Sequence, residues 1–279
     1  MKKKKIERYI LFAALVVFYG FCLLIPQIMQ YSYSDMAGVP YETMSENHWF
    51  GTDALGRDLL VRVCVAARTS IHIAVFSIGC SMVIGGLYGC FSGYHKGVIN
   101  TCFTALIDIM ESIPDFLCAM LLMTFFNGIA ASEIVNIENG SLLGIFATLI
   151  LTSWTAMARI IKNETMVLVE ENYVVYAKMK GASYFHILKN HLLPNLKDTI
   201  IATTVQKIPA AIFLESFLSF IGIGIQPPYP SLGKMISEGV TVFRKAPIVL
   251  LVPSVFLFII VLLFNLIGNT FVMESDHGE

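Results

Sequence analysis

Six apolar stretches, at about 9–29, 70–92, 99–126, 141–161, 198–221 and 249–272, are each long enough to cross the hydrocarbon core of a bilayer as a helix. Nothing else constrains this chain so strongly. In lipid each backbone N–H and C=O must be satisfied within its own segment, so the stretches predict helices and the expected fold class is all-α. The architecture expected is a polytopic membrane bundle of six transmembrane helices. Hydrophobic residues at 56%, charged residues at 14% and a mean hydropathy of +0.71 exclude an ordinary soluble domain. A net charge of -1 offers no electrostatic footprint for nucleic acid. The first stretch follows Lys2, Lys3, Lys4 and Lys5, yet it is long for a signal-peptide core and no small-x-small cleavage site follows. It reads as an anchor.

With the amino terminus inside, six crossings bring the carboxyl terminus back to the same side. Lys and Arg then divide twelve inside against six outside, with Lys207 alone within a span. The positive-inside rule favours this orientation, which makes the chain a multi-pass plasma-membrane protein with both termini cytoplasmic. Six cysteines form no C-x-x-C pair and fall mostly within spans, where they read as small apolar packing residues.

The polar interval at about 162–197, between the fourth and fifth spans, is too charged to enter the membrane. Its first run, Asn163 to Lys180, carries good helix formers, weakened by Val174, Val175 and Tyr176. Gly181 permits a turn. A second amphipathic run, Tyr184 to Leu193, puts Phe185, Leu188 and Leu192 at helical spacing, and Pro194 with Asn195 is expected to end it. Two readings fit: an interfacial loop on lipid headgroups, or a rigid docking element for a soluble partner. The run Gly181-Ala182-Ser183 followed by Leu192-Leu193-Pro194-Asn195 resembles the cytoplasmic coupling loop of ABC-importer permeases. The resemblance implies that Tyr176, Ala177, Lys178, Lys180, Gly181, Ala182, Ser183 and Pro194 meet an ATPase subunit. Val175-Tyr176-Ala177 stands where the family has Glu-Ala-Ala, so the contact would run through Lys178, Lys180 or Tyr176 instead of an acid.

A polar segment after the first span ends in H-W-F-G-T-D-A-L-G-R-D-L-L-V-R-V. Asp53 and Asp58 with Arg57 and Arg62 can build ion pairs, Gly51 and Gly56 allow tight bends, and Thr52 can cap a helix. A folded surface plug without chemistry explains all of it. The run also resembles the G-T-D-x-x-G-R-D signature of peptide and nickel permeases, the C-type member of the permease pair. His48, Gly51, Thr52, Asp53, Gly56, Arg57, Asp58, Arg62, Arg68 and Ser70 match; Ala66 departs. The resemblance implies an anchor helix with an extracytoplasmic segment at 1–69 and a permease core at 70–279.

Small residues recur every fourth position in the second span, at Ser77, Ser81, Gly85, Gly89 and Gly93, so another helix can approach closely, from this chain or from a partner. The third span holds Asp108, Glu111 and Asp115 around Pro114. Lys207, Pro209 and Glu215 lie in the fifth. Asp108, Glu111, Lys207 and Glu215 are candidates for a translocation path. The bland alternative pairs the acids with Lys207, and a proton relay is a third reading. Lys207 and Glu215 are eight residues apart, about 12 Å along a helix, and cannot pair with each other. Glu215 opens E-S-F-L-S-F-I-G-I-G-I-Q-P-P, which resembles the family's exit from its fifth span, and P-S-L-G-K-M-I-S-E-G predicts a short outside helix.

Gly233-Lys234-Met235 lacks the rest of a Walker A pattern, and neither H-E-x-x-H nor G-x-S-x-G occurs. His186 and His191 are spaced for neither one helix face nor a zinc pair. The chain is therefore expected not to be an enzyme and to hold no cofactor. Together the three resemblances imply the permease subunit of an ABC importer for oligopeptides or dipeptides, with nickel or a metal chelator as alternative cargo. They also imply a second homologous permease, two ATPase subunits that hold the ATP and Mg, an extracellular substrate-binding protein and surrounding lipid. The competing class is a gradient-driven secondary transporter or channel, although no internal repeat supports it.

Overall fold

A computed structural model describes residues 2–130 and 140–275, all helical or irregular apart from one isolated bridge between Thr52 and Asp58. The long helices are α1 (Lys2–Ile28), α2 (Leu59–Tyr94), α3 (Val98–Glu111), α4 (Asp115–Ala130) and α5 (Gly140–Leu168). After them come the short α6 (Asn172–Met179) and α7 (Tyr184–Ile187), then α8 (Leu193–Phe220), α9 (Leu232–Val242) and α10 (Ile248–Ser275). Among the described residues five helices are long and apolar enough to span, and a sixth crossing arises if α3 and α4 count as one.

That pair corrects the expected third span. The chain turns by 81° between α3 and α4. Pro114 has no N–H to continue the α3 ladder, and its own carbonyl instead accepts from Leu117 and Cys118 to start α4. The acidic loop expected between the third and fourth spans lies largely outside the described residues, at 131–139, as does the end of the polar tail.

α2 is longer than its apolar core because Asp58 caps it: the carboxylate accepts from the Val61 N–H at 2.8 Å. Asp58, not Thr52, is the cap. The position 69/70 therefore lies within one uninterrupted helix.

α5 lies in the groove of the small-residue stripe on α2. A Cβ on Gly85 would stand 2.5 Å from the Trp154 carbonyl oxygen, one on Gly89 2.6 Å from that of Ala158, and one on Gly93 2.6 Å from that of Lys162. The Ser81 hydroxyl donates to the Ile150 carbonyl at 3.2 Å. The stripe thus serves this chain's own packing.

Two apolar clusters result. The larger joins α2, α8 and α10 with parts of α1, α4, α5 and α9; the smaller holds Cys90, Ile161, Val174, Ile187, Leu192 and Leu196 at the end where α6 and α7 sit. Replacing Gly89 by Val should overpack the α2–α5 seam and lower stability by roughly 1–3 kcal/mol. Gly86→Ala, at a site with nothing within 4 Å, should stay close to the parent. Thermal unfolding in detergent checks both.

Candidate functional site

Three assemblies occupy the positions picked out in the sequence: a turn-bound element between α5 and α8, a polar knot at the head of α2, and a buried carboxylate with a cavity in the bundle.

α5 ends in a tight turn at Val169–Glu171, and the Glu171 carbonyl accepts from Val174 and Val175 to open α6. Val174, poor in isolated helix propensity, is fully buried in the smaller cluster, and tertiary burial overrides propensity here. Gly181 sits at φ +79°, beyond the end of α6. Its N–H donates to the Lys178 carbonyl at 2.9 Å and that of Ala182 to the Ala177 carbonyl at 3.1 Å, the paired bonds of a Schellman ending. Ser183 then caps α7 through the His186 N–H.

Two expectations are corrected at the next turn. Pro194 does not stop a helix. It lies in the first turn of α8, and a π turn at Leu188–Leu192, closed by Leu193 N–H to the Leu188 carbonyl, carries the helix through. The helix therefore runs unbroken from Tyr184 to Phe220, 37 residues. The buried stripe is also shifted: Tyr184, Ile187, Leu188, Leu192 and Leu196 face inward, while Phe185 is 77% exposed.

Tyr184 packs edge-on against Tyr94 and Phe91 at the end of α2. Lys178 bends back over the Tyr94 ring, 4.4 Å from its centre. Burial, and then Lys96 nearby, hold the Lys178 ammonium below the usual lysine range. Of the alternatives left by the missing Glu-Ala, Lys178 is thus engaged within the chain. Tyr176 (66% exposed), Met179, Lys180 and Phe185 form the outward face around Gly181. The rings of exposed His186 and half-buried His191 lie 6.1 Å apart, and Asn190 lies within 3.2 Å of the former.

The knot at the head of α2 is built on Asp53. One oxygen accepts from the Leu55 and Arg57 N–H groups; the other holds the Arg57 guanidinium at 2.7 Å and lies 3.1 Å from Arg62 Nε. Arg62 also donates to the Tyr33 carbonyl. Asp58 pairs with buried His48 at 2.9 Å rather than with an arginine, and Tyr31 stacks on His48. The Thr52 hydroxyl donates to the Val39 carbonyl and accepts from the Glu42 N–H. Gly51 and Gly56 have positive φ and lie against the Glu42 and Gly38 carbonyls, which leaves no room for a Cβ. Gly51, Thr52, Asp53, Gly56, Arg57 and Asp58 thus each have a folding role.

Glu215 is fully buried, and its carboxylate accepts from four hydroxyls: Ser70 (2.7 Å) and Ser216 (3.3 Å) on one oxygen, Ser219 (3.1 Å) and Ser231 (3.1 Å) on the other. It ties α8 to α2 and to the segment entering α9. Ser216 and Ser219 stood in the E-S-F-L-S run, the first adjacent to Glu215 and the second one helical turn on; the parts of Ser70 and Ser231 required the tertiary fold.

Glu215 is absent from the walls of the cavity of about 460 Å³ that Glu111, Asp115 and Lys207 share between α3, α4, α5 and α8. Asp108 and Glu111 do not pair with Lys207. Both bind Arg159 of α5, at 2.6 and 2.7 Å. No local sequence pattern links Arg159 to acids about fifty residues upstream.

Residues 85–273 match the family model described as the binding-protein-dependent transport system inner membrane component. The chain belongs to this family. Similar proteins include an oligopeptide transport system permease of Bacillus subtilis, 35% identical over 81% of this chain and 70% of the relative. A dipeptide transport system permease of the same organism is 36% identical over 81% and 67%. An oligopeptide transport system permease of Escherichia coli is 34% identical over 91% and 82%. The fold is that of an inward-facing methionine ABC transporter structure, with TM-score 0.60 at 19% identity over 77% of this chain and 95% of that one. As a permease component of such a system, this chain is a multi-pass membrane protein, as the apolar stretches predicted.

Glu215→Ala should strand the Ser231 hydroxyl, which has no carbonyl one helical turn back to turn to, and lower stability by about 2–3 kcal/mol. Glu215→Gln, which keeps an acceptor, should retain most of it. Melting of the purified chain distinguishes the two, and equal losses would contradict the hydroxyl cage.

Proposed function

We propose that this chain is the translocating permease subunit of an ATP-driven importer, carrying peptides handed over by an extracellular substrate-binding protein. Its assembly contains a second, homologous permease and two ATPase subunits that hold the ATP and Mg. The observation that carries the reading is the element around Gly181. One face of it is sealed into the smaller apolar cluster by Val174, Ile187 and Leu192, while the other presents Tyr176, Met179 and Phe185 exposed on a rigid turn. Such a surface suits a soluble partner's groove. The names of the relatives, permeases of oligopeptide and dipeptide systems, support peptides as the cargo.

The chain's part in the cycle is mechanical. The charge count supports a cytoplasmic position for this element, where the ATPases work, and both termini belong on that side. ATP-driven closure of the ATPase pair displaces the Gly181 turn. Because Tyr184–Phe220 is one helix of about 55 Å, the displacement passes along α8 to the Glu215 cage at the far end. The ATP-bound partners bias a bundle with two access states through their differential affinity for them.

Gly181→Val places a β-branched residue at φ +79° and should distort the Schellman ending. In proteoliposomes holding the full assembly, peptide uptake should fall at least about tenfold while ATP hydrolysis and membrane insertion persist. Normal uptake would overturn the role of the turn. Gradient-driven flux by this chain alone, without ATP, would instead favour a secondary transporter.

A further inference from the structure

We infer that the 460 Å³ cavity is a waypoint for the two charged ends of a peptide, Asp115 receiving the ammonium and Lys207 the carboxylate. The inference rests on the peptide-importer reading and adds how this subunit recognises its cargo.

The argument starts from unequal treatment of the charges around the cavity. Glu111, on its wall, is held by Arg159, which also takes Asp108. Lys162, one turn farther along α5, donates to the Thr104 hydroxyl. Asp115 and Lys207 face the same cavity, and among the described residues neither forms an ion pair or a side-chain hydrogen bond, with the other or with any third group. Charges within membrane-spanning segments are costly unless paired or solvated, so an open pair of opposite sign is suited to a ligand that supplies both counter-charges.

The backbone favours the same assignment. Asp115 is the first residue of α4, created by the 81° break at Pro114, where the helix dipole favours an anion. Lys207 projects from α8, a different helix, so the two charges reach the cavity from separate elements. The wall also carries Ser153 and Thr155 of α5, with hydroxyls able to meet a peptide group, and Ala210 and Ala211, which leave space. The volume falls within the ~300–1,000 Å³ of small-ligand sites, enough for a short peptide. A ligand with one charge would leave the opposite wall unmatched.

The test uses the complete assembly in proteoliposomes, with the binding protein loaded beforehand with one tripeptide in three forms: free, N-acetylated and C-amidated. The wild type should carry the free form on the order of tenfold faster than either blocked form, the scale of a lost charge-assisted hydrogen bond. Lys207→Gln should bring the free-to-amidated ratio close to one and leave the free-to-acetylated ratio intact. Asp115→Asn should do the reverse, and Lys207→Arg should keep both ratios. Unchanged ratios in both neutral variants would overturn the inference and leave the importer reading standing. If the wild-type assembly carries no form of the peptide under ATP, the importer reading itself fails and the inference falls with it.

Discussion

The close seam between α2 and α5 is the constraint on which the rest of the structure depends. Without side chains at Gly85, Gly89 and Gly93, the α5 backbone approaches until its carbonyls would touch any added Cβ. Within lipid there is little hydrophobic gain from joining two apolar helices, so close van der Waals fit and a few polar bonds must hold them. The seam provides both, with Ser81 donating to the Ile150 carbonyl. Having α5 at this depth also sets Arg159 against Asp108 and Glu111 of α3, and directs the end of α5 into the turn that begins the element around Gly181.

From that turn the chain has a rigid connection to the opposite end of the bundle. The π turn at Leu188–Leu192 absorbs Pro194, which lacks the N–H that an α-helical ladder would require, and the helix remains continuous to Phe220. Glu215 then binds hydroxyls from Ser70 and Ser231, so α8 cannot shift without acting on the middle of α2 and on the entry to α9. At the head of α2 the Asp53 and Asp58 network fixes the irregular segment preceding that helix. The two ends of the molecule are thereby joined by one continuous helix and the polar side chains at its far end.

Much of the architecture was legible because its physics is local. Five of the six apolar stretches anticipated a long helix, the third broke at Pro114 into α3 and α4, and the short helix after Pro230 appeared as α9. Gly181 was readable as a turn, since few residues accept a positive φ. The errors share a cause. Thr52 looked like a cap, Phe185 like a buried position and Pro194 like a stop, because each was judged from its immediate neighbours. In the folded chain Asp58 caps, Tyr184 is held by Tyr94, and a π turn displaces the register by one residue.

The sequence by itself determined that this chain lies in a membrane as helices, where those helices cross, and which family it belongs to, because apolar length and contiguous motifs are properties of the linear order. Only the tertiary structure decided the partners of the charges. Arg159 claims Asp108 and Glu111, Ser70 and Ser231 come from two other elements to complete the hydroxyl cage of Glu215, and Asp115 with Lys207 remain open to one cavity. An ion pair depends on distance in space, and residues separated by about fifty positions or more meet only when packing has already placed their helices side by side.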